Sequence, residues 1–187
     1  MSILIIDDSP DQQALLAAVL KKAGHDDIAQ LGSATAAFQQ LGIEQGGQAA
    51  LSPDLILLDI MMPEVDGVEA CRRIKAYAPL NEIPIIMVTA KTETTYLREA
   101  FAAGAMDFIT KPVNTIELTA RVASALTLKR EMDRRKARER ELEERNEELR
   151  TALSEVKVLR GLIPICAGCK KIRNDHGYWQ QIEEYVQ

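Results

Sequence analysis

The sequence predicts an α/β fold: a doubly wound, five-stranded parallel sheet with helices on both faces and a long helix after its last strand. Three observations predict it. Short apolar runs alternate with amphipathic helical segments over residues 1–115, the pattern of successive βαβ units. The run Leu55 to Leu58 is continuously apolar, as in a strand covered on both faces. The helical pattern that opens at Thr115 continues far beyond the end of an ordinary domain helix.

Ile3 to Ile6 is a short buried strand, ended by Asp7 and Asp8. A helix follows, with Ser9 and Pro10 at its start, Leu15, Leu16, Val19 and Leu20 at helical spacing, and Gly24 just past its end. Ile28 to Leu31 is a second strand, and Ser33 caps a short helix through Leu41. A loop from Gly42 to Ser52 leads to Leu55–Leu58, which ends in Asp59. Gly67 to Tyr77 is a helix, Ile83 to Val88 a strand, and Thr94 to Ala103 a helix stopped by Gly104. Phe108 to Thr110 is the last strand, ended by Lys111 and Pro112. From Thr115 to Ile163 the pattern stays helical, about 70 Å at ~1.5 Å per residue, until Pro164 ends it.

Composition narrows the function classes. The 187 residues suffice for one full domain and something smaller. A net charge of -5 disfavours a general nucleic-acid binder, so no direct nucleic-acid partner is expected. No apolar run reaches the roughly 18 residues of a membrane span, and the N-terminal run is too short for a signal peptide. A cytoplasmic chain without membrane contact is expected. Three cysteines are too few for a disulfide scaffold, and Cys71 sits in a helical pattern as a small core residue.

In an open α/β sheet, ligands bind beyond the carboxyl ends of the strands. Those ends carry Asp7, Asp8, Asp59, Thr89 and Lys111. One Asp at a strand end is ordinarily a turn former, and Asp66 before Gly67 is read that way, starting a helix. Three carboxylates on one edge repel unless a cation sits among them, and oxygen ligands select a hard ion, Mg²⁺. Asp59 then has the chemistry of a nucleophile that forms an acyl phosphate. Lys111 would neutralise a phosphoryl oxygen and the Thr89 hydroxyl would donate to another.

The blocks Ile5-Ile6-Asp7-Asp8, Leu57-Leu58-Asp59-Ile60-Met61-Met62-Pro63 with Asp66-Gly67, Val88-Thr89-Ala90 and Phe108-Ile109-Thr110-Lys111-Pro112 resemble, in this order, the response-regulator receiver family. The resemblance covers residues 1–127. It implies the flavodoxin-like strand order 2-1-3-4-5 and a phospho-acceptor switch rather than an enzyme with its own substrate. Asp59 matches the acceptor, supplied by a phosphohistidine on a sensor histidine kinase. Asp8, Asp59 and the Met61 backbone carbonyl match the Mg²⁺ ligands, with Asp7 acting through water. Thr89 and Phe108 match the switch pair, and Lys111-Pro112 matches a peptide bond usually found cis. Met61 and Lys91 occupy positions that tune phosphoryl lifetime, where an apolar Met61 would shield the phosphoryl group from water.

Leu142, Leu149, Val156 and Ile163 repeat every seven residues, and Asn146 and Leu153 complete an a/d seam. Asn146 at an a position fixes register. Upstream, Leu128 and Met132 fit the seam, whereas Arg135 and Glu139 do not. Residues 115–163 are therefore expected to form a parallel homodimeric coiled coil with a charged middle. The alternative is a single charged helix held by i,i+4 pairs such as Glu141 with Arg145.

Residues 164–187 form a small tail. Cys166-Ala-Gly-Cys169 is a zinc half-site, with His176 a further candidate, or a redox pair outside the usual βαβ setting. The tail also resembles a C-terminal module of bacterial signalling proteins in which a second cysteine pair follows, so it is read as incomplete. Tyr178, Trp179, Ile182 and Tyr185 are expected to form a small helix over the knuckle. The leading expectation is a phosphorylation-dependent switch with a dimeric coiled-coil transmitter. The alternatives are the regulatory part of a longer enzyme, such as a diguanylate cyclase or phosphatase, and an adaptor that binds through its cysteine module.

Overall fold

The computed structural model describes residues 1–43, 49–90, 94–160, 166, 168–173 and 179–180. Its first unit, Met1–Asp133, is built on a parallel sheet of β1 (Ile3–Ile6), β2 (Ile28–Leu31), β3 (Leu55–Asp59), β4 (Ile85–Thr89) and β5 (Asp107–Thr110). The strand order is β2-β1-β3-β4-β5, the order that the family resemblance implies. The helices between them are α1 (Pro10–Lys22), α2 (Ala34–Gln40), α3 (Gly67–Ala76) and α4 (Thr94–Ala102), with α5 (Thr115–Arg160) after the last strand.

Local chemistry sets the helix ends. The Ser9 hydroxyl accepts from the Gln12 amide at 3.4 Å and Pro10 occupies the first turn of α1. Gly24, at φ +90°, takes the chain out of that helix in the left-handed region that glycine favours. The Ser33 hydroxyl accepts from the Ala36 amide at 3.1 Å, and the Asp66 carboxylate from the Glu69 amide at 2.8 Å. Asp66 is thus a helix cap.

Side chains alternate across each strand, and both faces are covered. Leu4, Ile6, Ile56, Leu58, Ile85 and Met87 pack beneath α2, α3 and α4. Ile3, Ile5, Leu55, Leu57, Ile86 and Val88 face α1 and the start of α5, where Leu118, Val122 and Ala125 are buried. Neither face meets water, which explains why β1, β3 and β4 are continuously apolar.

The expected start of β4 moves from Ile83 to Ile85. A 3-10 turn at Ala78–Leu80 precedes it, and the Ile83 amide is spent on the Leu80 carbonyl at 3.0 Å. Pro84 has no amide to donate to the ladder. In the second unit, Arg134–Gln187, Ile172–Arg173 (β6) pairs antiparallel with Trp179–Gln180 (β7). The small helix expected around Trp179 is therefore corrected to a strand: pairing with Arg173 dictates extended backbone there. Tyr178, Ile182 and Tyr185 lie outside the described residues, as do Ile163 and the end proposed for the long helix. No helix among the described residues is long and apolar enough to cross a membrane.

Gly67 shows how closely α3 approaches the end of β3. A Cβ there would lie 2.0 Å from the Asp59 carbonyl oxygen and 2.8 Å from the Ile60 Cα. Both neighbours are backbone, so no rotamer change relieves the clash. Gly67→Ala is expected to lower unfolding free energy by about 2–3 kcal/mol, measured by urea denaturation; an unchanged midpoint would contradict this packing.

Candidate functional site

The chain steps from β1 outward to β2 and then returns to β3 on the other side of β1. Neighbouring crossovers thus diverge between β1 and β3, leaving a crevice at their carboxyl ends. Asp7 and Asp8 follow β1 and Asp59 ends β3, so this one topological feature gathers three carboxylates. β4 delivers Thr89 and β5 delivers Lys111 to the same edge.

Lys111 is the centre of the arrangement. Its Nζ donates to Asp7 Oδ2 at 2.9 Å and to Asp59 Oδ2 at 2.8 Å. Asp7 and Asp59 are buried, 1% and 4% exposed, while Asp8 is exposed beside them. Asp7 Oδ1 also accepts from the Ser9 amide at 2.9 Å, and Asp59 Oδ1 from the Met61 amide at 3.2 Å. The Lys111 amide donates to the Thr89 carbonyl at 2.8 Å, and Thr89 itself is fully buried. The Lys111-Pro112 peptide is cis.

Burial pushes the Asp59 carboxyl above the ordinary range, and nearby Asp7 adds to it; Lys111 and the Met61 amide pull the other way without cancelling the rise. For Lys111 burial disfavours the charge, but its bonds to Asp59 and Asp7 outweigh that and hold the ammonium above its usual value.

The ligand oxygens of Asp7, Asp8 and Asp59 lie within 4.8 Å of one another. Three carboxylates with one ammonium leave two negative charges in the pocket, the charge of one divalent cation with the sign reversed. The all-oxygen donors suit a hard ion such as Mg²⁺. A separate cleft of about 450 Å³ is lined by Met61, Asp66, Arg72 and Tyr96 but by none of the three carboxylates, so the charged chemistry lies outside it.

The predicted residues Asp7, Asp8, Asp59, Thr89 and Lys111 thus share one edge. Phe108 lies on β5, partly buried, edge-on to Phe101 with centroids 6.0 Å apart. The Arg121 guanidinium stands 6.0 Å from its ring and is anchored by Asp107 and Glu117. Sequence reasoning missed Phe101, Arg121 and Gln13, whose side-chain amide donates to the Asp7 carbonyl at 2.6 Å. Helical spacing was the only signal for them, and it places a residue on a face without naming its partner across space. Lys91 and His176 lie outside the described residues. Cys166 and Cys169 are both free, and the Cys169 amide donates to Cys166 Sγ at 3.5 Å. No third zinc ligand accompanies them among the described residues.

A family profile described as "response regulator receiver domain" matches residues 3–123. The "DNA-binding dual master transcriptional regulator RpaA" of Synechocystis sp. is 38% identical over 127 residues, 66% of this chain and 48% of that protein. The chain spans about half the length of the curated relatives it matches. Among solved structures, the signal receiver domain of a signal transduction histidine kinase from Syntrophus aciditrophicus is 32% identical, with a TM-score of 0.60 over 67% of this chain and 89% of that one. The Mn²⁺-bound form of response regulator Rcp1 is 29% identical, with a TM-score of 0.55 over 65% of this chain and 88% of that one.

One expectation is overturned by these relatives. The net charge of -5 argued against a direct nucleic-acid partner, yet a relative 38% identical over 127 residues is named as a DNA-binding regulator. A net charge does not decide the question, because DNA contact depends on the local charge of the surface that touches it.

Two predictions follow from the pocket. Lys111→Met leaves Asp7 and Asp59 buried as uncompensated like charges, and is expected to cost about 3–5 kcal/mol in metal-free buffer. Millimolar Mg²⁺ should restore part of that loss; urea titrations with and without the ion would test it. The second concerns pH. Because the folded-state pKa of Asp59 is raised, the native state gains stability as pH falls through that pKa. Asp59→Asn should lack this component, so metal-free variant and parent should converge in stability as pH falls from 7; curves that stay parallel would contradict the raised pKa.

Proposed function

The chain belongs to the response-regulator receiver family, and from that premise we propose that Asp59 is its phospho-acceptor, loaded by a sensor histidine kinase. An Asp59 carboxylate oxygen attacks the phosphorus of a phosphohistidine; the P–N bond breaks and its electron pair returns to the imidazole. The bridge from Lys111 to Asp7 and Asp59 carries this reading, because it places a cation where phosphoryl oxygens would arrive.

Asp8, Asp59 and the Met61 carbonyl would hold Mg²⁺, with Asp7 acting through water. The ion would supply charge neutralisation to the phosphoryl oxygens. A solved response regulator 29% identical to this chain is described as a Mn²⁺-bound form, which favours a divalent ion here. Within the chain, Lys111 neutralises one phosphoryl oxygen and the Thr89 hydroxyl donates to another. The ring of Phe108, held between Phe101 and Arg121, responds as Thr89 moves. The signal then passes along α5, whose exposed Leu142, Leu149 and Leu153 are the apolar seam of a dimeric coiled coil.

The likeness to a DNA-binding regulator favours a second reading of the output, in which the switch governs attachment to DNA. Mobility-shift assays with the product of the complete reading frame would separate it from a purely protein-directed output.

Phosphoramidate with Mg²⁺ is expected to label the parent protein with an acid-stable, hydroxylamine-labile phosphoryl group. Asp59→Asn should abolish the label, a loss of at least about 100-fold for removal of the nucleophile. Retention of label in that variant would refute the assignment.

A further inference from the structure

The reading of α5 as a parallel homodimeric coiled coil leaves open what selects a like partner and fixes the register. Between residues 142 and 153, Leu142, Leu149 and Leu153 are 63%, 62% and 60% exposed on one stripe, with Asn146 among them. A helix stripe this apolar calls for a partner. With Leu142 and Leu149 at d and Asn146 and Leu153 at a, the flanking positions are fixed by counting. Glu131, Arg138 and Arg145 fall at g, and Lys129, Lys136, Glu143 and Arg150 fall at e.

In a parallel, in-register pair of identical helices, each g residue meets the e residue five positions on in the partner. Glu131 then faces Lys136 and Arg138 faces Glu143, opposite charges in both cases. Among these g–e contacts Arg145 facing Arg150 is the like-charged one, and across the seam Arg135 and Glu139 each meet their own copy. An antiparallel pair would bring e against e, where three of these four positions are basic. Residues five apart do not face each other on one helix, so a pair at this spacing can form only between two helices. The complementarity lies along the stretch where the apolar seam gives way to Arg135 and Glu139, which bond each other at 3.0 Å.

We propose that α5 recognises a second copy of this chain, parallel and in zero register, through reciprocal Glu131–Lys136 and Arg138–Glu143 ion pairs beside the Leu142–Leu153 seam. The proposal rests on the coiled-coil reading and adds partner choice to it. The charged middle supplies identity and register, and the leucine seam supplies attraction. A heterologous coil would satisfy the leucines and fail the charge pattern.

The test is a double-mutant cycle on the full chain, with dimer dissociation constants from sedimentation at low salt. Arg138→Glu and Glu143→Arg should each weaken dimerisation on the order of tenfold, since every contact occurs twice. The double variant should regain most of that loss. A dimer whose affinity ignores these changes, or whose double variant shows no recovery, overturns the register while leaving a coiled coil standing. A monomer at every concentration, with and without beryllofluoride, overturns the coiled coil itself. Leu149→Cys in a Cys166→Ser, Cys169→Ser background gives an independent check. Mild oxidation should yield a cross-linked dimer, and a dimer that resists cross-linking there overturns the parallel alignment.

Discussion

One lysine holding two buried carboxylates is the constraint on which the pocket depends. Asp7 and Asp59 sit on neighbouring strands, both nearly inaccessible to water, and their repulsion would be severe without Lys111 between them. That lysine comes from the far side of β4 and reaches them because β5 pairs with β4 in a register that sets Thr110 opposite Thr89. A slip of one residue would turn every side chain to the opposite face and carry Lys111 away. The apolar core that locks the register is therefore part of the site's chemistry.

The compensation is incomplete by design of the charges alone. One ammonium against three carboxylates leaves the pocket negative and ready for a divalent cation, and burial keeps the Asp59 carboxyl reluctant to ionise. A divalent cation would cancel that excess, and the cation with Lys111 would then offset the negative charge that a phosphoryl group brings, which couples the two occupants electrostatically. The contacts of Phe108 with Phe101 and Arg121 join β5 to α4 and to the first part of α5.

The long helix obeys a different physics. Its first turns are buried against the sheet through Leu118, Val122 and Ala125, whereas its later leucines are exposed. One continuous helix thus passes from a buried stretch to an exposed one. The two stretches differ in which faces carry apolar residues, and in the density of charge around them.

The alternation of apolar runs and helical segments was sufficient to identify a parallel α/β sheet, and the strand-terminal residues Asp7, Asp8, Asp59, Thr89 and Lys111 that it brings to one edge. Those features are local: Asp59 follows Leu58 and Lys111 follows Thr110, and a parallel sheet aligns such ends automatically. The start of β4, the strand at Trp179, and the roles of Gln13 and Arg121 were decided only by tertiary structure. Each depends on a partner distant in sequence or on a turn hydrogen bond, such as Ile83 with Leu80 or Arg121 with Asp107, that periodicity does not encode. The close approach of Gly67 to the Asp59 carbonyl belongs to the same class. The order of residues determined which chemistry reached the sheet edge; packing in three dimensions decided which of those groups touch.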